Sequence, residues 1–234
     1  MCGRVNVSNL AAIQLLLEFL DIRSCSTKPS ERYNISPSSE LLAISTSRKT
    51  KIASSMQWGF FPRRSSTFMS RAIINARSET IWEKPSFRDL MNSQRCIIPV
   101  NAFYEWDRKY EKKIPYSISP SHEKVFALAG IYQSDSRGNK HCCIITTDAN
   151  SPLSKVHHRM PVILNNDSLE DWLFSADRSQ LNRLMQSCED DLIQIDRVSE
   201  YVNNAVNDGP ECMRKSDGKE KYVKQDENQV GFEF

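Results

Sequence analysis

The chain lacks the long apolar runs that membrane proteins need. None of its 234 residues belongs to a stretch approaching the roughly 18 apolar residues of a spanning helix, and mean hydropathy is -0.52. Nor does the N-terminus show a basic region followed by an apolar signal core. The expectation is a soluble, cytoplasmic protein with no membrane partner. Net charge is also scarce. Lys and Arg number 31 against 29 Asp and Glu, leaving +2. Bulk electrostatics of that size do not hold nucleic acid, although a local basic cleft is compatible with it. Paired cysteine motifs are missing as well. The seven cysteines include no CxxC, and a closed disulfide framework would leave one over. No ligand set has the spacing of a structural zinc site, so the expected metal content is none. Adjacent Cys142 and Cys143 lie in an apolar run that suits a strand.

What is present is a pattern of many short strands with a few helices. A helix is expected from Leu10 to Leu20, capped by Ser8, because Leu10, Ile13, Leu16, Leu17 and Leu20 recur at helical spacing. Residues 24–39 read as an extended connection rich in Ser and Pro. Strands are expected at 41–46, 51–60, 95–100, 103–107, 115–119, 125–132, 142–147, 161–164 and 192–198. A polar turn at 47–50 joins the first two, and 108–113 and 134–140 read as hairpin loops. Residues 73–77 form a short apolar run that turns polar. Short helical turns broken by Pro85 are expected in 78–90, a short helix capped by Ser151 in 151–156, and helices in 168–174 and 178–187. The fold class is α+β, a single domain around a mostly antiparallel distorted β-barrel or sheet with flanking helices. The domain is placed at 1–210, with a charged tail at 211–234 that frays or lies on the surface.

The strongest chemical feature is Met1-Cys2-Gly3-Arg4. Removal of Met1 would give Cys2 an amine and a thiol on adjacent carbons. An α-amine has a reference pKa of about 7.7–8.0, so a fraction is neutral near pH 7. It can form a Schiff base with an aldehyde, and the thiol can then close a five-membered thiazolidine. An internal cysteine has only an amide nitrogen and cannot. Asn75 and Arg77 lie two apart, on one face if that stretch is extended, and Arg suits phosphate. Glu105 sits among Phe103, Tyr104 and Trp106, surroundings that would desolvate a carboxyl and raise its pKa. His157 and His158 precede Arg159. Adjacent histidines on a strand point in different directions, so a shared metal is not expected. Taken singly, each feature also has an ordinary structural explanation: a small second residue, a surface ion pair, an outward carboxylate, a structural histidine. The basic loop with Arg63, Arg64 and Arg71 also carries Phe68 and Met69, a mixture that suits single strands.

Together, the ordered segments MCGR, RYNISP (32–37), WGF (58–60), INARSET (74–80), RCIIPVNAFYEW (95–106), ALAGIY (127–132), IITTDAN (144–150) and VHHRMPVIL (156–164) resemble the SRAP (SOS response-associated peptidase) family of abasic-site processing proteins. The resemblance runs from residue 2 to about 206. It implies a DNA-damage-response protein that binds single-stranded DNA containing abasic sites and forms a thiazolidine crosslink through Cys2. By motif, Asn75 orients the Cys2 amine and Glu105 is the acid/base for Schiff-base chemistry and for self-removal of Met1. His157 assists sugar ring opening and crosslink reversal. Arg4, Arg77 and Arg159 contact the DNA backbone. No cofactor is implied, and a monomer in a bacterial cytoplasm, associated with the nucleoid when crosslinked, is the expectation. Some bacterial relatives carry paired tryptophans in the 62–70 loop, where this chain has Arg63, Arg64, Phe68 and Met69. The alternative reading is an N-terminal-nucleophile amidohydrolase of the glutamine amidotransferase type, which also begins Met-Cys-Gly.

Overall fold

The computed structural model describes residues 2–22, 25, 29–61, 72–109 and 112–216. Two sheets and a few short helices make up these residues. One sheet has the order β13 (Ile193–Arg197), β8 (Ile114–Pro120), β7 (Ala102–Asp107), β1 (Val5–Val7), β2 (Arg32–Ile35), and every pairing is antiparallel. The other contains β3 (Glu40–Ser47), β4 (Thr50–Trp58), β6 (Arg95–Val100), β9 (Phe126–Ser134) and β10 (Lys140–Asp148). Its pairing path runs β10-β4-β3-β6-β9 and returns to β10, so it closes on itself. Closure removes free edges, which is the advantage of a barrel. Parallel pairing occurs where β10 meets β4 and β5 (Asn75–Arg77). The edge strands β11 (Arg159–Pro161) and β12 (Ile163–Leu164) extend the ring from β10 and β9.

Alternation along the ring strands feeds two cores. On β6, Ile97 joins one cluster, while Cys96, Ile98 and Val100 join the other. The first cluster packs under α2 (Pro85–Ser93), α4 (Leu169–Phe174) and α5 (Arg178–Leu184). The second faces the five-stranded sheet and includes Cys2, Val5 and Phe103. Helix α1 (Leu10–Phe19) serves both, presenting Ile13 to one and Leu16 and Leu17 to the other.

Several local expectations shift. Asn9, not Ser8, caps α1 by accepting from Ala12 N–H, and the Ser8 hydroxyl is occupied in donating to Asn6 Oδ1 at 2.6 Å. Asn150, not Ser151, caps α3 (Ser151–Ser154). Pro85 begins α2 instead of breaking it, since a first-turn residue needs no N–H donor. The expected strand 161–164 divides at Val162, which bonds to Ile145 on one side and Ala129 on the other. The connection 24–39 conceals β2. The 47–50 turn has Arg48 and Lys49 at φ +48 and +64, the backbone of a type I′ hairpin. Residues 210–216 pack instead of fraying: Cys212 is buried, and Ser199 and Ser216 N–H bond to Arg214 O and Arg197 O. The 62–71 loop, with Arg63, Arg64, Phe68, Met69 and Arg71, and the tail from 217 lie outside the described residues. Among the described residues no helix is long and apolar enough to cross a membrane.

Gly130, in the ALAGIY segment, is needed for closeness. A Cβ there would stand 3.0 Å from Cys96 Sγ and Ile98 Cδ1 and 3.1 Å from Cys143 O. Gly130→Ala is expected to lower unfolding free energy by about 1–3 kcal/mol through overpacking, measured by urea denaturation. An unchanged midpoint would show that the ring can yield at this point.

Candidate functional site

The site forms where the chain start crosses β7. Backbone pairing sets it: Val5 pairs with Phe103, and Tyr104 N–H donates to Arg4 O at 2.9 Å. Cys2 is thereby drawn into the core at 0% exposure. Burial drives its thiol pKa well up, and the nearby Glu105 carboxyl pushes in the same direction, so the resting sulfur is protonated.

Asn75 reaches this segment from β5. Its Nδ2 donates to Cys2 O at 2.8 Å, and its buried Oδ1 has no hydrogen-bond partner among the described residues. The expected contact was with the Cys2 amine; the observed one grips the Cys2 carbonyl. Ala76 is buried between Asn75 and exposed Arg77, so the extended chain turns those two to the same side, as expected.

Glu105 projects from β7 and is 3% exposed. Desolvation raises its pKa to about 7. The raised value agrees with the expectation, but the surroundings differ. Side chains alternate across a strand, so Tyr104 and Trp106 occupy the opposite face, against Val198, Val202 and Cys212. Of the three adjacent aromatics, only Phe103 shares the Glu105 face of the strand.

His157 lies just beyond α3, its N–H bonded to Leu153 O at 2.9 Å. Its Nδ1 stands 4.0 Å from Glu105 Oε1, in its neighbourhood but beyond direct hydrogen-bond length. Burial lowers its pKa to about 4, so the ring is neutral at physiological pH. The His157 and His158 rings do not diverge: they stack at 4.5 Å, because both residues precede β11 in a bend and not on a strand. Among the described residues no group of three or more His, Cys, Asp or Glu could hold a metal ion.

The arginines take different roles. Arg4 Nη1 donates to Asn34 Oδ1 at 2.7 Å and Val202 O at 3.0 Å, and its guanidinium lies 5.6 Å from the Trp106 ring centre. It lines an open basin of about 580 Å³ with Trp106, Arg108, Lys112, Lys113, Glu200 and Asn203. Four of those side chains are cationic and one is anionic, so the near-zero total charge conceals a local positive surface. Arg159, expected to contact the strand, has partners within the protein. Its side chain is 7% exposed and bridges Glu79 and Asp148.

Two residues in the quoted motifs had no role assigned from sequence. Asn34, in RYNISP, donates from Nδ2 to Val202 O, Asn204 O and Asn207 O, fixing the loop against which Arg4 rests. Glu79, in INARSET, holds both Arg159 Nη atoms. Their place inside dense polar motifs was the available signal; their partners are far away in sequence.

The site therefore combines a buried N-terminal-segment cysteine, a carboxamide gripping it, a carboxyl poised near neutrality and a neutral histidine, while Arg4 and Arg108 line a cationic basin. A family model for SOS response associated peptidase (SRAP) matches residues 1–205, and the chain belongs to that family. The Abasic site processing protein YoqW of Bacillus subtilis is 38% identical over 189 residues, covering 77% of this chain and 84% of the relative. YoaM of the same organism, also named an abasic site processing protein, is 35% identical over 223 residues, covering 91% and 97%. HMCES of Gallus gallus is 30% identical over 194 residues, covering 70% of this chain and 57% of that longer protein. A crystal structure of a Bacteroides thetaiotaomicron protein, 26% identical, superposes with a TM-score of 0.79 over 92% of this chain and all of its own.

Proposed function

We propose that this protein processes abasic sites in single-stranded DNA by covalent capture on Cys2. The observation that carries the reading is Asn75. Its Nδ2 fixes the Cys2 carbonyl, leaving a buried Oδ1 acceptor beside the residue whose nitrogen must be freed and oriented. An unsatisfied buried acceptor is costly, and an amine N–H would satisfy it.

Hydrolysis of the Met1–Cys2 bond frees that amine, and in this reading Glu105 activates the water. The amine adds to the C1′ aldehyde of the ring-opened deoxyribose. The resulting carbinolamine loses one water to give an imine. The Cys2 sulfur then bonds to the imine carbon while its proton passes by way of Glu105 to the nitrogen. The product is a thiazolidine, and the net change is addition with loss of one water. Glu105 suits proton transfer because its pKa of about 7 matches the working pH. Neutral His157 donates a hydrogen bond to the sugar ring oxygen as the C1′–O4′ bond opens. Arg4, Arg77 and the Trp106 basin hold the strand through phosphate contacts and stacking. Amide hydrolysis by a Cys2 thiolate is disfavoured by the same burial that raises the thiol pKa.

The test is a denaturing gel with an abasic oligonucleotide. Wild type, with Met1 removed, is expected to give a covalent band with abasic DNA and none with intact DNA. Cys2→Ala is expected to give no stable band. Equal bands with both proteins would remove Cys2 from the mechanism. Ammonia release from glutamine, lost in Cys2→Ser, would favour the amidohydrolase instead.

A further inference from the structure

We infer that His158 is a positioning residue for His157: its ring lies against the His157 ring, covers one face of it and keeps it from turning. The two ring centres are 4.5 Å apart and the planes differ by 26°. Neighbouring side chains on an extended strand would point to opposite faces. Here the chain bends between α3 and β11, and the main chain is held on both sides of the bend. His157 N–H donates to Leu153 O at 2.9 Å, and His158 O accepts from Ala149 N–H at 3.0 Å. One bond ties the pair to α3 and the other to the chain just after β10. The stack is thus set by anchored backbone.

The two rings have different surroundings. His158 is exposed, whereas the His157 side chain is 12% exposed. The outer ring therefore stands between the inner one and water. The other groups near His157 act at its edge or through charge. Glu105 Oε1, from β7, is 4.0 Å from Nδ1. The N–H and C=O of Arg159, on β11, both lie 3.1 Å from that same nitrogen. The terminal amine and Arg108 add charge. Rotation of a histidine ring about its Cβ–Cγ bond is a broad torsion with shallow preferences. Contact at one edge restrains it weakly, and a second ring laid on its face opposes the swing. The same cover keeps water off. Burial is the largest cause of the low His157 pKa of about 4, and the charges of the terminal amine, His158 and Arg108 push the same way. Without its cover, His157 should turn more freely and take up a proton more readily.

The kinetic part of this inference rests on the proposed reaction; the titration does not. The first measurement follows the His157 ring C–H signals by NMR across pH 4–8 in wild type, His158→Ala and His158→Phe, with the signals assigned by their loss in His157→Gln. In His158→Ala the midpoint is expected to rise by about one pH unit. In His158→Phe, which keeps a ring but neither charge nor hydrogen bonds, it should stay within about half a unit of wild type. If His158→Ala does not fold, His158→Gln takes its place. The second measurement is adduct formation against DNA concentration. His158→Ala should lower the limiting rate about 10-fold, and His158→Phe should restore it within about twofold, with half-saturation unchanged in both. An unmoved titration in His158→Ala would overturn the inference, whether or not the protein crosslinks DNA. A shift that His158→Phe fails to reverse would assign the effect to charge or hydrogen bonding and overturn the stack. Weakened half-saturation with an intact limiting rate would make His158 a strand contact instead. The expected titrations with no adduct in any variant would support the stack and count against the proposed reaction.

Discussion

Glu105→Gln is expected to slow adduct formation by about 10² to 10⁴, the usual contribution of one general acid/base group. The substitution keeps shape and hydrogen bonding but cannot accept the thiol proton. In wild type the rate should climb between about pH 6 and 8 as Glu105, with its pKa of about 7, ionises. In the variant that inflection disappears and only the titration of the α-amine remains. Folding stability gives an independent reading of the same carboxyl. Its folded pKa lies above its ordinary 4.5, so the folded state holds the proton more tightly. Burial of the ionised form therefore erodes stability as pH rises from 4.5 through about 7. Glu105→Gln removes that loss. It should leave stability near pH 4.5 unchanged and raise it at pH 8 by up to about 3 kcal/mol. His157 works in the opposite sense, because its folded pKa of about 4 lies below its ordinary 6.5. It erodes stability as pH falls from 6.5 through 4, and His157→Gln should flatten that limb. Denaturation midpoints of wild type and both variants across pH 4–8 check the signs. A Glu105→Gln variant less stable than wild type at pH 8, with full crosslinking rate, would contradict the assignment.

Arg95→Met is the second large effect, and it concerns the fold. Arg95 is 5% exposed, and its cation is met by carbonyls instead of a carboxylate. Nη1 donates to Met91 O at the end of α2, Nε to Trp172 O at 2.5 Å, and Nη2 to Ser175 O at 2.6 Å at the end of α4. Two helix C-termini thus converge on one guanidinium. Each offers the negative end of its dipole and acceptors with no partner inside the helix. The Trp172 ring lies 5.9 Å below the charge. Removing the charge orphans buried carbonyls at both helix ends. The expected cost is about 3–5 kcal/mol, or roughly 10 °C or more in Tm. Arg95→Lys should recover only part, since a single ammonium cannot reach carbonyls on two helices in the same way. A loss below about 1 kcal/mol would show that water replaces the guanidinium at the helix ends.

Much of the architecture was legible because it is encoded locally. The runs at 95–100, 103–107 and 142–147 are short, apolar and bounded by turn residues, and each became a strand within a residue or two of its expected limits. Helix α1 was legible from its leucine spacing. Capping was less so, because Ser8 and Ser151 each stand beside an Asn, and the longer carboxamide reached the helix amides first. A barrel-like arrangement was expected, but the parallel pairing of β10 with β4 and β5 was not legible, since it joins segments far apart in sequence.

The candidate site was legible as a set of residue types and less so as a set of contacts. Asn75 and Arg77 share a face as their spacing required, and Glu105 is desolvated. But strand alternation carries Tyr104 and Trp106 away from Glu105, so those two aromatics do not face its carboxyl. The partners of Arg159 were not legible, because an arginine beside histidines carries no mark of them. Its bidentate acid, Glu79, is encoded eighty positions earlier, and only the fold brings the two together.

The most direct test of the account is the intact mass of the adduct between the processed protein and an abasic oligonucleotide, before and after borohydride. The predicted mass is the sum of the two reactants less one water. It should not change on borohydride treatment, and Cys2 should resist alkylation after denaturation, because a thiazolidine has neither a reducible imine nor a free thiol. No covalent mass, or an adduct that gains two hydrogens while Cys2 remains alkylatable, would contradict the ring.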